Sequence, residues 1–187
     1  MNRTQLEHII RAASRISGDK EIIVIGSQSI HAMAEQLPAI AFQSAEADVY
    51  PRNYPDKADL IDGSIGELSD FHLHNGYHAQ GVSPTTAILP AGWEDRLVPL
   101  MNENTDGACG LCLNVHDLAL SKYAANREKD RLFNRALVAY QCLDYRTLKQ
   151  LLPTMPLPEA QIRAIGFAID ADFQQAPRLS VEDRPEP

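Results

Sequence analysis

Two acidic side chains in the N-terminal half of the chain have the spacing of a cation site. Glu46 and Asp48 lie two residues apart in Ala45–Tyr50, a segment whose pattern predicts a β-strand. Residues two apart in a strand share a face, so the two carboxylates would lie side by side. Adjacent carboxylates repel each other unless a cation lies between them, and Mg²⁺ (or Mn²⁺) is the natural cation because it prefers oxygen ligands and binds substrate phosphates. The alternative interpretation is a solvated acidic pair.

A Gly-Ser turn earlier in the chain has the character of a phosphate site. Gly26 and Ser27 follow the β-branched run Glu21–Ile25, and the segment from Ser27 to Gln36 is predicted to be helical. The turn from a strand into a helix presents backbone N–H groups that bind phosphate, and the Ser27 hydroxyl adds one more donor. A phosphate site together with metal-binding carboxylates is the minimum that nucleotidyl transfer requires.

The segment from Asp117 to Asp130 adds positive charge. Four polar positions recur along it at i, i+4, i+7 and i+8, namely Lys122, Asn126, Lys129 and Asp130. If the segment is one helix, these side chains share a face that offers a cation to a triphosphate and a third carboxylate. A solvated face crossed by salt bridges is the alternative interpretation of such a run of charges.

Together these features resemble the nucleotidyltransferase superfamily that includes DNA polymerase β. That family has Gly-Gly or Gly-Ser followed by Asp-x-Asp on the next strand, and Gly26-Ser27 and Glu46-Ala47-Asp48 occupy those places here. The later Asp-Leu-x-x-x-Lys-x-x-Ala-x-Arg-x-Lys-Asp, at residues 117–130, resembles the helical motif of the AbiEii-type toxin nucleotidyltransferases and their small bacterial relatives. The resemblance covers roughly residues 21–140.

The resemblance implies an enzyme that moves a nucleoside monophosphate from an NTP to an acceptor with Mg²⁺. The acceptor would be a tRNA end, a protein or a small molecule, and an antitoxin-like protein would be a partner. The residues that match the family's motifs are Gly26, Ser27, Lys122 and Arg127 for nucleotide binding, Glu46 and Asp48 for metal binding, and Glu46, Asp48, Lys122 and Asp130 for catalysis.

Two departures from the family pattern support an alternative function. Glu46 replaces the first Asp and is one methylene longer, whereas Mg²⁺ demands near-ideal octahedral geometry. A third acid on a central strand is also not evident, and Glu94 and Asp95 are candidates by position only. The alternative is a catalytically degenerate binding or regulatory module that keeps the nucleotidyltransferase fold.

The segment Phe71–His78 contains His-x-His-x3-His. In a strand, His72 and His74 would share a face and could bind Zn²⁺ or another transition metal together with His78, with Asp70 as a fourth ligand. We favour the alternative of polar-face histidines, because no other metal-binding signature accompanies them.

Three further residue types have ordinary structural interpretations. Cys109 and Cys112 form a lone C-x-x-C in an apolar run, which indicates small buried thiols more than a redox or zinc site. His116 precedes Asp117 and is predicted to stand where a helix begins. Trp93, the single tryptophan, could stack on a nucleotide base, but packing is the interpretation that we prefer.

Composition limits the classes of function. The chain has 187 residues and a net charge of −8, which disfavours sequence-general DNA binding and binding to anionic membranes. Three cysteines do not make a disulfide framework, and no stretch approaches the roughly 20 apolar residues of a membrane span. No secretory signal is visible at the N-terminus either. These features predict a cytoplasmic protein without a membrane partner.

The elements that must position these residues are strands in the first 115 residues and helices after them. Strands are predicted at 21–25, 45–50, 76–82, 85–89, 96–101 and 108–113, and helices at 4–16, 27–36, 56–68, 117–140, 144–152 and 158–173. This segregation predicts an α+β fold with a small mixed sheet. The predicted organisation is a core at 1–115, a helical part at 116–173 packed on that core, and a disordered tail at 174–187.

Overall fold

A mixed β-sheet with helices packed on it forms the described part of the chain, which in this computed structural model comprises residues 1–33 and 37–176. The strands are β1 (Glu21–Val24), β2 (Glu46–Pro51), β3 (His78–Gly81), β4 (Val98–Leu100) and β5 (Cys109–Cys112). The α-helices are α1 (Arg3–Ser17), α2 (Ala58–Ile65), α3 (Asp70–Asn75), α4 (Val115–Ala125), α5 (Glu128–Ala139), α6 (Tyr145–Leu151) and α7 (Glu159–Gln175). The predicted α+β class is confirmed.

The strand order is β3-β2-β1-β5-β4. Strand β1 runs antiparallel to β2 and parallel to β5, β2 runs parallel to β3, and β4 runs antiparallel to β5. Just beyond β1, the Ile25 N–H donates to the carbonyl oxygen of Asp48 over 3.1 Å. The turn that follows β1 therefore lies directly beside the acidic strand β2.

The central strand is buried on both faces, which explains its unbroken run of β-branched residues. Ile22 and Val24 pack with α1 and α2, whereas Ile23 and Ile25 pack into an apolar cluster built mainly by α4–α7. Leu118, Leu120, Leu137, Leu148 and Ile169 are buried members of that second cluster. The helices α4–α7 thus share this apolar cluster with the sheet. Their packing places α4 and α5 beside the acidic strand β2.

The prediction of one helix over residues 117–140 is wrong. Helix α4 ends at Ala125, and Asn126 takes a left-handed conformation with φ of 52° while its N–H donates to the Lys122 carbonyl. Asparagine tolerates this conformation better than most residues, so it ends a helix much as glycine does. Helix α5 then begins at Glu128, and the chain changes direction between the two helices.

Two other predicted elements differ from the structure. The strand predicted at 85–89 is absent from that described segment, because the Ser83 hydroxyl accepts the Thr85 N–H and forms a local turn. The helix predicted from Ser27 to Gln36 is a 3₁₀ helix over Ser27–Ala32, and residues 34–36 lie outside the described part of the chain.

The remaining differences concern element ends. Helix α2 spans Ala58–Ile65 rather than 56–68, preceded by a short 3₁₀ helix at Pro55–Lys57. Helix α7 continues to Gln175, so residues 174 and 175, predicted to belong to the tail, are helical, and residues 177–187 lie outside the described part. The strand predicted for His72 and His74 is instead helix α3, which Ser69 caps by accepting the His72 N–H. No helix among the described residues is long and apolar enough to cross a membrane.

Candidate active site

A cleft of about 660 Å³ lies where the turn after β1, the first half of β2 and the helices α4 and α5 meet. Its polar lining residues are Gly26, Ser27, Gln43, Ser44, Glu46, Asp48, Gln80, Thr86, Ser121, Lys122, Arg127 and Lys129. Its apolar walls include Ile40, Ile88, Leu132 and Phe133. The cleft therefore brings together every residue that the family motifs predict for the site except Asp130, which is buried behind its surface. Asn126, predicted on the same face, lines a different pocket.

The carboxylates of Glu46 and Asp48 face the same side of β2, as the strand alternation predicts. The side chain of Glu46 is 44% exposed, whereas Asp48 is mostly buried. Burial, and secondly the negative charge of Glu46, raise the pKa of Asp48 to about 6, although the positive charges of Lys122 and Lys129 oppose the shift. The ionised pair is thus held under electrostatic strain that a cation would relieve.

Gly26 makes room for Asp48. A Cβ atom at Gly26 would lie 2.1 Å from Asp48 Oδ2, a separation that no real Cβ contact tolerates. The backbone of Gly26 has a φ of −88°, which other residues also adopt, so a larger residue here would disturb the Asp48 side chain and not the backbone. The Gly-Ser turn and the acidic strand are therefore in van der Waals contact through this carboxylate.

We expect Gly26→Ala to weaken Mg²⁺-dependent NTP binding by about 100-fold, because the new methyl group displaces Asp48 by an ångström or more. Calorimetric titration of NTP measures the loss. Gly63→Ala is the matched control, since a Cβ at Gly63 meets nothing within 4 Å and should instead stabilise α2 by about 0.5–1 kcal/mol. Equal NTP affinity in both variants would contradict the contact.

Lys122 and Arg127 reach the cleft from the two sides of the break between α4 and α5. Both donate to Asp130, with Lys122 Nζ 3.1 Å from Asp130 Oδ1 and Arg127 Nε 2.6 Å from Asp130 Oδ2. Asp130 is 0% exposed, and Lys122 also lies over the ring of Phe133 at 4.4 Å from its centroid. Asp130 is therefore a positioning residue that holds two cations at the cleft wall, rather than a residue that lines the cleft.

The charge of Lys122 depends on this arrangement. Burial lowers the pKa of Lys122, and the adjacent Asp130 carboxylate partly offsets that effect. Burial alone would raise the pKa of Asp130, but the hydrogen bonds from Arg127 and Lys122 lower it overall. The exposed Lys129 adds a further positive charge at the cleft. Among the described residues, the cleft thus carries three cations and two carboxylates.

Two residues beside the acidic pair were not predicted for this site: Gln80, which the sequence did not single out, and His78, which was considered only as a metal ligand with His72 and His74. The register of β2 with β3 pairs Glu46 with His78 and Asp48 with Gln80. His78 Nε2 lies 3.7 Å from Glu46 Oε2, and the Gln80 amide contacts both carboxylates. The sequence predicts β3 as a strand but does not show that it pairs with β2. That pairing brings His78 and Gln80 beside the acidic pair.

The other candidates lie elsewhere. Glu94 and Asp95 line other pockets beside Trp93, outside the cleft, so neither supplies the third acid. Trp93 packs against the main apolar cluster, consistent with the preferred interpretation. His116 stands in the first turn of α4, as predicted, where its Nδ1 bonds Asn114 and its Nε2 accepts the Asp144 N–H.

The histidine and cysteine motifs do not assemble a metal site in the described residues, which contain no group of three or more His, Cys, Asp or Glu side chains able to hold one ion. His72 packs against His78 with 4.5 Å between ring centroids and 46° between the ring planes, while His74 bonds the Asp70 carbonyl within its own helix. Cys109 and Cys112 are free thiols, and burial raises the pKa of Cys112 to about 12.

The acidic pair has the donor chemistry for a divalent cation. Two carboxylates supply hard oxygen atoms, Gly26 lies against the Asp48 carboxylate without a side chain of its own, and the cleft around them has room for phosphates. Glu46 and Asp48 are the carboxylates among the described residues that line this cleft. These residues fit a hard divalent cation such as Mg²⁺ or Mn²⁺.

The mixed sheet, the Gly-Ser turn and the acidic pair on the next strand are features of a nucleotidyltransferase. Residues 4–162 match the family described as nucleotidyltransferase of unknown function (DUF6036), so the chain belongs to that family. No curated protein and no solved structure matches the chain. The closer resemblance to AbiEii-type toxins remains a prediction.

Proposed function

We propose that this protein transfers a nucleoside monophosphate from an NTP to an acceptor with the help of Mg²⁺ or Mn²⁺. The observation that carries the proposal is the contact between the Gly26 backbone and the Asp48 carboxylate inside a cleft walled by cations. That contact joins a phosphate-binding turn to a metal-binding strand. Both are needed at one phosphorus atom for nucleotidyl transfer.

Each residue has a distinct part in this proposal. Glu46 and Asp48 hold the cation, which when bound neutralises phosphate charge and orients the reacting oxygens. Ser27 and the start of its 3₁₀ helix face the triphosphate, and Lys122 and Arg127 offset the charge that develops on the leaving phosphates. Because Asp130 fixes both cations before substrate arrives, little reorganisation is needed during the reaction.

A binding or regulatory module without catalysis is the second candidate function. The number of carboxylates favours this function, because Glu46 and Asp48 are the only carboxylates that line the cleft within the described residues. No third carboxylate there can take a proton from an acceptor hydroxyl. Nucleotide affinity would persist in such a module, whereas transfer would not.

Titration of ATP, GTP, CTP and UTP into the full chain, with and without Mg²⁺, tests the proposal. We expect saturable binding of at least one NTP that requires Mg²⁺, because the two carboxylates would otherwise repel the triphosphate. Incubation with α-labelled NTP and, in turn, tRNA, protein and small-molecule acceptors then reads out transfer. Magnesium-independent binding without transfer would support the module, and no binding of any NTP would contradict both functions.

A further inference from the structure

The amide group of Gln80 lies against both carboxylates of the acidic pair. One of its terminal atoms lies 3.1 Å from Glu46 Oε1 and 3.3 Å from Asp48 Oδ1. With the amide nitrogen at that position, Gln80 donates a hydrogen bond to each carboxylate. The parallel register that pairs Asp48 with Gln80 brings the side chain to this place.

The same position also suits the amide oxygen, provided that a cation is present. An octahedral Mg²⁺ with metal–oxygen distances of about 2.1 Å separates neighbouring ligand oxygens by about 3.0 Å. The separations of 3.1 and 3.3 Å at Gln80 are close to that value. Without a cation, three converging oxygens would repel one another, so the nitrogen must then face the pair.

We propose that Gln80 is the third protein ligand of the cation site and that its amide group rotates when the cation binds, so that the oxygen takes the place of the nitrogen. The nitrogen bridges the two carboxylates in the metal-free protein, and the oxygen binds the cation in the loaded protein. This inference rests on the proposed function, since it takes the acidic pair to be a cation site.

A neutral third ligand has a consequence for charge. Glu46, Asp48 and Gln80 together carry a charge of −2, which one divalent cation neutralises completely. A carboxylate at position 80 would lie where the Gln80 amide contacts both acids. The charge of the three side chains would then be −3. The affinity for a free divalent cation should therefore respond strongly to the charge at residue 80.

Titration of Mn²⁺ alone into the full chain, followed by the electron paramagnetic resonance signal of free Mn²⁺, tests the inference. We expect Gln80→Leu to weaken Mn²⁺ binding by about 10-fold or more and Gln80→Glu to tighten it by a similar factor. Gln80→Glu should also lower the melting temperature of the protein in chelator, and addition of Mn²⁺ should restore that temperature. This second readout depends on the charge at residue 80 and not on activity.

Gln43→Leu is the matched control, because Gln43 lines the same cleft and, within the described part of the chain, has no hydrogen bond to either carboxylate. Its Mn²⁺ affinity should stay within about twofold of wild type. If both Gln80 variants bind Mn²⁺ like wild type while Asp48→Asn abolishes binding, the inference is wrong and the proposed function stands. If wild type binds no Mn²⁺ with or without NTP, the inference and the proposed function fail together.

Discussion

Asp48→Asn should abolish Mg²⁺-dependent NTP binding and at the same time raise the free energy of unfolding by about 1–3 kcal/mol at pH 7 to 8 in chelator. The two effects have one cause. Burial and the charge of Glu46 make the ionised form of Asp48 unfavourable in the folded protein, which raises its pKa to about 6. Asparagine keeps the shape of the side chain and removes the unfavourable charge. Stability and cation binding therefore oppose each other at this position.

The sign of the effect predicts its dependence on pH. The pKa of Asp48 is about 6 in the folded protein and 3.8 for an unperturbed Asp. Between these two pH values the folded state therefore binds a proton at Asp48 that the unfolded state has released. The stability of the wild type relative to Asp48→Asn therefore falls as the pH rises from about 4 to about 6. Denaturant unfolding of both proteins at intervals from pH 4 to pH 8 measures the difference, which should be largest above pH 6.

Glu46→Gln is the matched control for this prediction. The Glu46 side chain is 44% exposed, so water already solvates its charge and neutralising it should change stability less than Asp48→Asn does. It should nevertheless weaken NTP binding, since Glu46 is the second carboxylate of the proposed cation site. A lower stability of Asp48→Asn than of wild type at pH 8 would contradict the account of Asp48.

Asp130→Asn should lower the free energy of unfolding by about 3–5 kcal/mol, because it leaves Lys122 at the cleft wall without its counter-charge. Lys122 is only 13% exposed, so water would solvate its charge less well than the carboxylate does. Freed from Asp130, Lys122 and Arg127 should also lose their fixed positions, and NTP binding should weaken. Denaturant unfolding and calorimetric titration of NTP measure the two effects.

A surface ion pair of similar geometry supplies the control for Asp130. Lys149 Nζ lies 2.9 Å from Asp170 Oδ1, but these side chains are 35% and 34% exposed. Asp170→Asn should therefore cost less than about 1 kcal/mol. Similar losses in the two variants would show that Asp130 acts through ordinary surface charge and would contradict its role as a positioning residue.

The pH dependence of Asp130 has the opposite sign from that of Asp48. Hydrogen bonds from its two cationic partners outweigh burial and lower the pKa of Asp130 below 3.8. Its contribution to stability is therefore fully present above that value and is lost as the pH falls through the lowered pKa of the folded protein. Titration of Asp130 itself should accordingly add no change to the stability difference between wild type and Asp130→Asn from pH 5 to pH 8.

Local patterns in the sequence determined the acidic pair and its partner turn. Glu46 and Asp48 share a face because strand alternation is a property of the backbone itself. The run Glu21–Ile25 predicted a buried strand, so the position of the Gly26-Ser27 turn followed from it. The same reasoning predicted the α+β class, because the strands precede most of the helices along the chain.

The contact between Lys122 and Asp130 shows where such reasoning ends. Helical periodicity predicts both residues on one face of a single helix, whereas Asn126 breaks the helix and the turn brings the two side chains together. Lys122 and Asp130 are therefore close in the structure, but the turn at Asn126 is the cause and helical periodicity is not. Whether Asn126 ends a helix depends on how the apolar faces of α4 and α5 pack, which is a non-local matter.

Only the tertiary structure decided which other residues join the site. Gln80 reaches the carboxylates through the register of β2 with β3, and a shift of one residue would have sent its side chain to the opposite face. Glu94 and Asp95 are excluded because the chain between β3 and β4 carries them away from the cleft. Local sequence determines which face a side chain occupies, but the packing of distant segments determines which faces meet.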